Sequence, residues 1–114
     1  MKHLEKGTKL YFVIESLSDR TFREEPYHFE ITSGEINDIR HFEGSRADEY
    51  RVPTQNRMGR PSVLEYPRCK DLGKSFFMTF EEAAEAAEKA TANYEKIWGW
   101  AIKQPLIRPW RTTT

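Results

Sequence analysis

The chain has one cysteine among 114 residues, six glycines, six prolines and no net charge, and each shortage closes off a class of explanation. Cys69 alone cannot form an intramolecular disulfide, so the fold must rest on a hydrophobic core, which a chain of this length can supply. No apolar run reaches the length of a membrane span, because the most aromatic segment, after Trp98, is broken by Lys103, Pro105, Arg108 and Pro109. The scattered glycines build no phosphate-cradling loop of the Walker or dinucleotide type. Charge neutrality removes the broad electrostatic footprint of a duplex binder. The opening Met1-Lys2-His3-Leu4-Glu5-Lys6 is charged where a secretion signal would be apolar, so a cytoplasmic location is expected.

Neutral overall, the chain is uneven along its length. Residues 1–45 carry six basic and nine acidic side chains, residues 46–74 seven and four, residues 75–99 two and five, and residues 100–114 three and none. A basic middle and a basic tail therefore flank an acidic helix candidate, which suits a local contact with an anionic surface.

The hydrophobic pattern predicts an α+β fold: a small, strongly bent antiparallel sheet, then one long helix. Leu10 to Glu15 is a β-branched and aromatic run that reads as a central strand. Tyr27, Phe29 and Ile31 alternate within Thr21–Thr32, as in a strand with one wet face, and Pro26 places its start at an edge. Ile36, Ile39 and Phe42 recur every third residue, so a strand and a short helical turn fit 34–42 about equally. Tyr50-Arg51-Val52 and Ser62–Tyr66 read as strands around an exposed tip at Arg57-Met58-Gly59-Arg60. Ser75–Met78 is a strand feeding a helix from Phe80 to Trp98, capped by Thr79 with Glu82 three residues on and closed by Gly99. An alanine stripe gives that helix a flat face for close packing. Residues 1–99 form one domain and residues 100–114 an aromatic, basic extension.

Gly7-Thr8-Lys9-Leu10-Tyr11-Phe12-Val13-Ile14 and Leu72-Gly73-Lys74-Ser75-Phe76-Phe77-Met78-Thr79-Phe80-Glu81-Glu82-Ala83 together resemble a pattern in small proteins of phages and mobile elements of Gram-positive bacteria. Those proteins have a short, often SH3-like barrel whose last strand enters a threonine-capped helix. The resemblance implies an accessory product of such an element, of the kind that includes inhibitors of host defence such as anti-CRISPR proteins. It transfers no catalytic or binding residue, because the shared motif is structural.

Chemistry has few starting points. His3 and His28 read as surface residues, and His41 beside Glu43 lacks further ligands nearby in sequence. Cys69 between Arg68 and Lys70 could be an activated thiol, but no histidine-asparagine or histidine-aspartate pattern accompanies it. Glu81, Glu82, Glu85 and Glu88 suit a solvated helix face. No enzyme, cofactor or metal is expected.

Binding surfaces are better represented. Trp98 to Arg111 stays apolar and aromatic beyond the helix stop, so it must be covered, either by folding back on the domain or by a partner or second copy. The basic loop with Arg46, Arg51, Arg57, Arg60, Arg68, Lys70 and Lys74, interleaved with Tyr50 and Tyr66, could track phosphates, touch an acidic protein surface, or pair with its own Asp48, Glu49, Glu65 and Asp71. The candidate partner-binding residues are thus Arg57, Arg60, Arg68, Lys70, Tyr66, Trp100, Arg108 and Trp110. The expected function is a non-enzymatic accessory protein that inhibits a host protein or protein–nucleic-acid complex. The alternatives are a nucleic-acid-binding module and a protein that self-assembles through its tail.

Overall fold

The structure, a computed structural model, describes residues 4–16, 28–42, 48–100, 106, 108 and 110. Its elements are β1 (Lys9–Ser16), β2 (His28–Glu35), β3 (Asp38–Arg40), β4 (Glu49–Gln55), β5 (Pro61–Glu65), a 3-10 turn (Cys69–Asp71), β6 (Phe76–Phe77) and α1 (Phe80–Trp98). This is the α+β class, one antiparallel sheet of six strands with one helix. The sheet stays open, so the barrel alternative is not realised.

β1 lies inside the sheet as its composition predicts, paired with β2 on one side and β6 on the other. β2 lies between β1 and β4 but meets β4 only at Ser33, opposite Gln55, so its first residues pair with β1 alone; Pro26, expected to place the strand's start at an edge, lies with the rest of 21–27 outside the described residues. Nor is one face of β2 wet. Phe29 and Ile31 are buried under the helix, while Thr32, on the opposite face, is also fully buried.

β2 and β3 follow the same edge of β4. Ser33 stands opposite Gln55 and Asp38 opposite Arg51, so the first strand carries one extra residue between these pairs, the signature of a bulge. At the bulge the Ile36 amide bonds to the Thr8 carbonyl and the Asn37 amide to the Arg51 carbonyl. This resolves the two readings of 34–42: the threefold spacing of Ile36, Ile39 and Phe42 reflects a kinked strand.

Alternation along the strands makes two cores. Leu10, Phe12, Tyr50, Val52 and Phe76 face one side, where Leu4, Ile36 and Cys69 join them. Phe29, Ile31 and Phe77 face the other, against Ala83 and Ala87 of α1 and Trp110. Phe76 and Phe77 thus serve opposite faces. The alanine stripe does what its pattern predicts, bringing the helix close to β1, β2 and β6. Thr79 caps α1 as expected: its Oγ1 accepts the Glu82 amide at 3.2 Å and donates to Glu82 Oε1 at 3.0 Å. Gly99 occupies the C-cap position in a right-handed conformation (φ −55°), so it is not a left-handed stop.

Among the described residues, the buried hydroxyls of Thr32 and Thr91 have no hydrogen-bond partner. Desolvating a hydroxyl without a partner costs roughly 1–3 kcal/mol, and valine has nearly the same shape. Thr32→Val in the sheet is therefore expected to raise stability by about 1 kcal/mol, read as a shift of the urea midpoint at unchanged slope. A loss of stability would mean that the hydroxyl has a partner.

Candidate functional site

The candidate site is the β4–β5 hairpin and the chain that leaves it. Its tip is fixed by local chemistry: the Asn56 side-chain oxygen accepts the amides of Met58 and Arg60 at 2.9 and 3.0 Å, and the Gly59 amide bonds to the Asn56 carbonyl. Gly59 adopts φ +82°, which favours glycine, and closes a three-residue loop. The tip at Arg57–Arg60 is where the sequence places it, and Asn56 is the organiser that sequence reading missed. Its signal was present: an asparagine three residues before a glycine between two strand-like runs.

The tip presents Met58 with 80% of its surface exposed. Arg57 bends back instead, its guanidinium 5.0 Å from the Phe80 ring centre at the start of α1. Arg57 and Met58, with Asn56, Glu30 and Ile31, line a surface depression of about 400 Å³ between hairpin and sheet.

β5 borders the sheet beyond the reach of α1, which contacts β1, β2 and β6. Its Val63 and Leu64, and Tyr66 just after it, are exposed, Tyr66 by 54%. The register that pairs Val52 with Glu65 and Pro53 with Leu64 sets Arg51 opposite Tyr66. Exposed Arg51, Pro53, Leu64 and Tyr66 therefore share one face of the sheet, an apolar shelf carrying a cation. Val63 and Leu64 were missed as candidates because a strand pattern alone does not say which strand is left uncovered. Glu65 lies on the opposite face, where burial raises its carboxyl pKa above the usual range.

The cations divide into paired and open ones. Arg60 and Lys70 are exposed, and neither has a partner among the described residues. Arg68 lies 4.0 Å from Glu49, both partly exposed. Arg46 lies outside the described residues.

The tail candidates separate. Leu106 and Trp110 are buried, Trp110 with 4% exposure in the core beneath α1. Arg108 donates through Nε to Glu88 at 3.1 Å and through Nη2 to Glu95 at 2.6 Å. The Glu95 hydrogen bond, with Glu88 behind it, holds the guanidinium in its charged form against the cost of burial. Trp110 and Arg108 thus serve the protein's own fold in this structure, the fold-back reading of the tail, and Glu88 is a partly exposed clamp on Arg108. Trp100 alone of the three stays open, 83% exposed, its ring tilted against that of Trp98 with centres 6.3 Å apart.

The chemical candidates fare differently from their sequence readings. Cys69 is buried beside the Tyr50 hydroxyl, which accepts the Leu4 amide at 3.0 Å, so it belongs to the core and not to the basic surface. Burial first, and the Cys69 side chain second, push the Tyr50 hydroxyl up to about 12. His41 Nδ1 lies 3.0 Å from Asp48 Oδ1 on the surface, while Glu43 and His3 lie outside the described residues. Among the described residues no three His, Cys, Asp or Glu side chains gather to hold a metal ion. Among the same residues no helix is long and apolar enough to cross a membrane.

No protein-family model matches the chain, and no curated protein or solved structure matches it.

Proposed function

We propose that this chain is a binding protein without chemistry of its own, which acts by covering a site on another protein, as an inhibitor encoded by a phage or mobile element does. The observation that carries the reading is the β4–β5 margin, where exposed Met58, Val63, Leu64 and Tyr66 stand beside the open cations Arg51, Arg60 and Lys70. Water gains nothing from apolar side chains grouped at a sheet margin, and aromatic residues with arginine are the usual anchors of protein interfaces. The cations give the surface a sign and so a preference for an acidic partner. Trp98 and Trp100 form a second exposed aromatic pair that suits an auxiliary contact.

Charge reversal tests this reading. The double variant Arg60→Glu, Lys70→Glu touches two exposed side chains and is expected to leave the urea midpoint within about 0.5 kcal/mol of the parent. It should nevertheless reduce capture of partner protein from a nuclease-treated lysate of the encoding organism at least tenfold. Arg57 is left out of the variant because its stacking on Phe80 would confuse binding with folding. Capture unchanged by the double reversal would sink the reading. Capture that disappears with nuclease, and weakens steeply with salt, would assign the surface to nucleic acid instead.

A further inference from the structure

We infer that the outer edge of β5 takes up an extended acidic segment of a partner protein as an added antiparallel or parallel strand, with Leu64 and Tyr66 supplying the main-chain bonds. The inference rests on the binding-surface reading above and deepens it by naming what binds.

Main-chain alternation gives the reason. The Tyr50 amide donates to the Pro67 carbonyl at 2.8 Å, so Pro67 turns its backbone toward β4. Two residues earlier Glu65, partner of Val52, does the same, and the alternating residues Tyr66 and Leu64, on either side of it, turn their N–H and C=O groups outward. Among the described residues no strand pairs with that side of β5. Sheets usually protect such an edge by shortening it, bending it away or lining it with charge. The other edge strands are protected in the first way, β6 being two residues long and β3 three. On β5 a register shift opposite Pro53–Gln55 and Pro61 at its start blunt the first part, yet Leu64 and Tyr66 lie beyond both, with apolar side chains.

Charge then selects the occupant. Arg60 stands before the edge, Lys70 after it, and Arg51 beside Tyr66; Arg68 also follows the edge, with Glu49 4.0 Å from it, and the carboxyl of Glu65 faces the other side of the sheet. The span from Arg60 to Arg68 is roughly 25 Å of extended chain, the reach of a segment of about seven residues. Acidic residues at its two ends would meet these cations, and β-branched or aromatic residues between them would rest on Pro53, Leu64 and Tyr66. A second copy of this chain is a poor occupant. Antiparallel pairing of β5 with itself centred on Leu64 sets Arg60 against Arg68, and like charges across a strand pair repel.

The probe is a blocked peptide of about seven residues, alternating valine and threonine with aspartate at both ends, added to the full chain. Amide exchange at Leu64 and Tyr66 should slow about tenfold or more while the α1 amides stay unchanged. A version ending in lysine should bind at least tenfold more weakly. The same acidic peptide methylated on alternate amide nitrogens should lose binding, since its side chains and charges are intact but its ladder is not. Equal binding of the methylated peptide, or protection absent at Leu64 and Tyr66, overturns strand addition. If Arg60→Glu, Lys70→Glu still abolishes partner capture, the broader surface reading survives that failure; if it does not, both fall. Preferred binding of a single-stranded oligonucleotide, or Leu64 protection that rises with protein concentration alone, would overturn the proposal by naming a nucleic acid or a second copy as occupant.

Discussion

Gly34→Ala is expected to destabilise the protein by about 2–4 kcal/mol, a large effect for one added methyl group. A Cβ built at Gly34 falls far inside van der Waals separation of the Pro53 carbonyl oxygen, with Val52 Cγ1 at 3.0 Å. Neither neighbour can yield cheaply. Pro53 is held within β4, and Val52 is fully buried in the core. The backbone angle at Gly34 is one that any residue adopts, so the cost is close approach and not conformation. Gly59 provides the contrast, since a Cβ there meets open space but its φ of +82° disfavours a side chain. Gly59→Ala should cost about 1 kcal/mol by that route. Urea unfolding of both variants separates the two mechanisms, and hydrogen exchange locates the damage.

The location matters because Gly34 sits where the sheet is joined. Next to it, Ser33 opposite Gln55 is the one register pair between β2 and β4, which links the β1–β2–β6 half to the half that holds β3, β4 and β5. A wedge at this seam should therefore raise exchange in β4 and β5 more than in β1. A Gly34→Ala protein within 0.5 kcal/mol of the parent would mean that β2 and β4 are further apart than the structure places them.

Much of this architecture was legible in the chain because its signals are local. Thr79 and Glu82 mark the helix start by hydrogen bonds three residues long, and Ala83 and Ala87 mark the face by a spacing set within one helix. The tip at Arg57–Arg60 is likewise written in adjacent residues. What escaped was long-range. Whether the strands close into a barrel depends on the pairing of β5 with a distant strand, about which Pro61–Glu65 carries no local signal. Burial of Cys69 follows from Tyr50, 19 positions earlier, and the flanking Arg68 and Lys70 suggested the opposite surroundings. The candidate surface was half legible. Its cations are visible as a compositional run, whereas the exposure of Val63 and Leu64 is fixed by where α1 ends up, on the other half of the sheet.

Trp110→Ala is the second large expected effect, a loss of about 3–4 kcal/mol, from which a domain of this size would lose roughly 10–20 °C in Tm. The indole packs in the core formed by Phe29, Ile31, Phe77, Ala83 and Ala87, and its removal leaves a cavity that neighbours held in sheet and helix close only in part. Its position is secured from a second direction by Arg108, which holds Glu88 and Glu95 two turns apart on α1. Arg108→Ala alone should cost less, about 1 kcal/mol, because the pair is partly solvated. The two residues hold one segment, so their losses should not add: once Trp110 is removed, Arg108→Ala should have little further effect. Fluorescence supplies a readout apart from stability. Trp98 and Trp100 are exposed and should be quenched readily by iodide, leaving one protected component that belongs to Trp110 and vanishes in Trp110→Ala. A variant with parental Tm and an unchanged protected component would return the tail to the role of an exposed anchor. The expected result places Trp110 in the core and leaves Trp100 as the tail-side aromatic available to a partner.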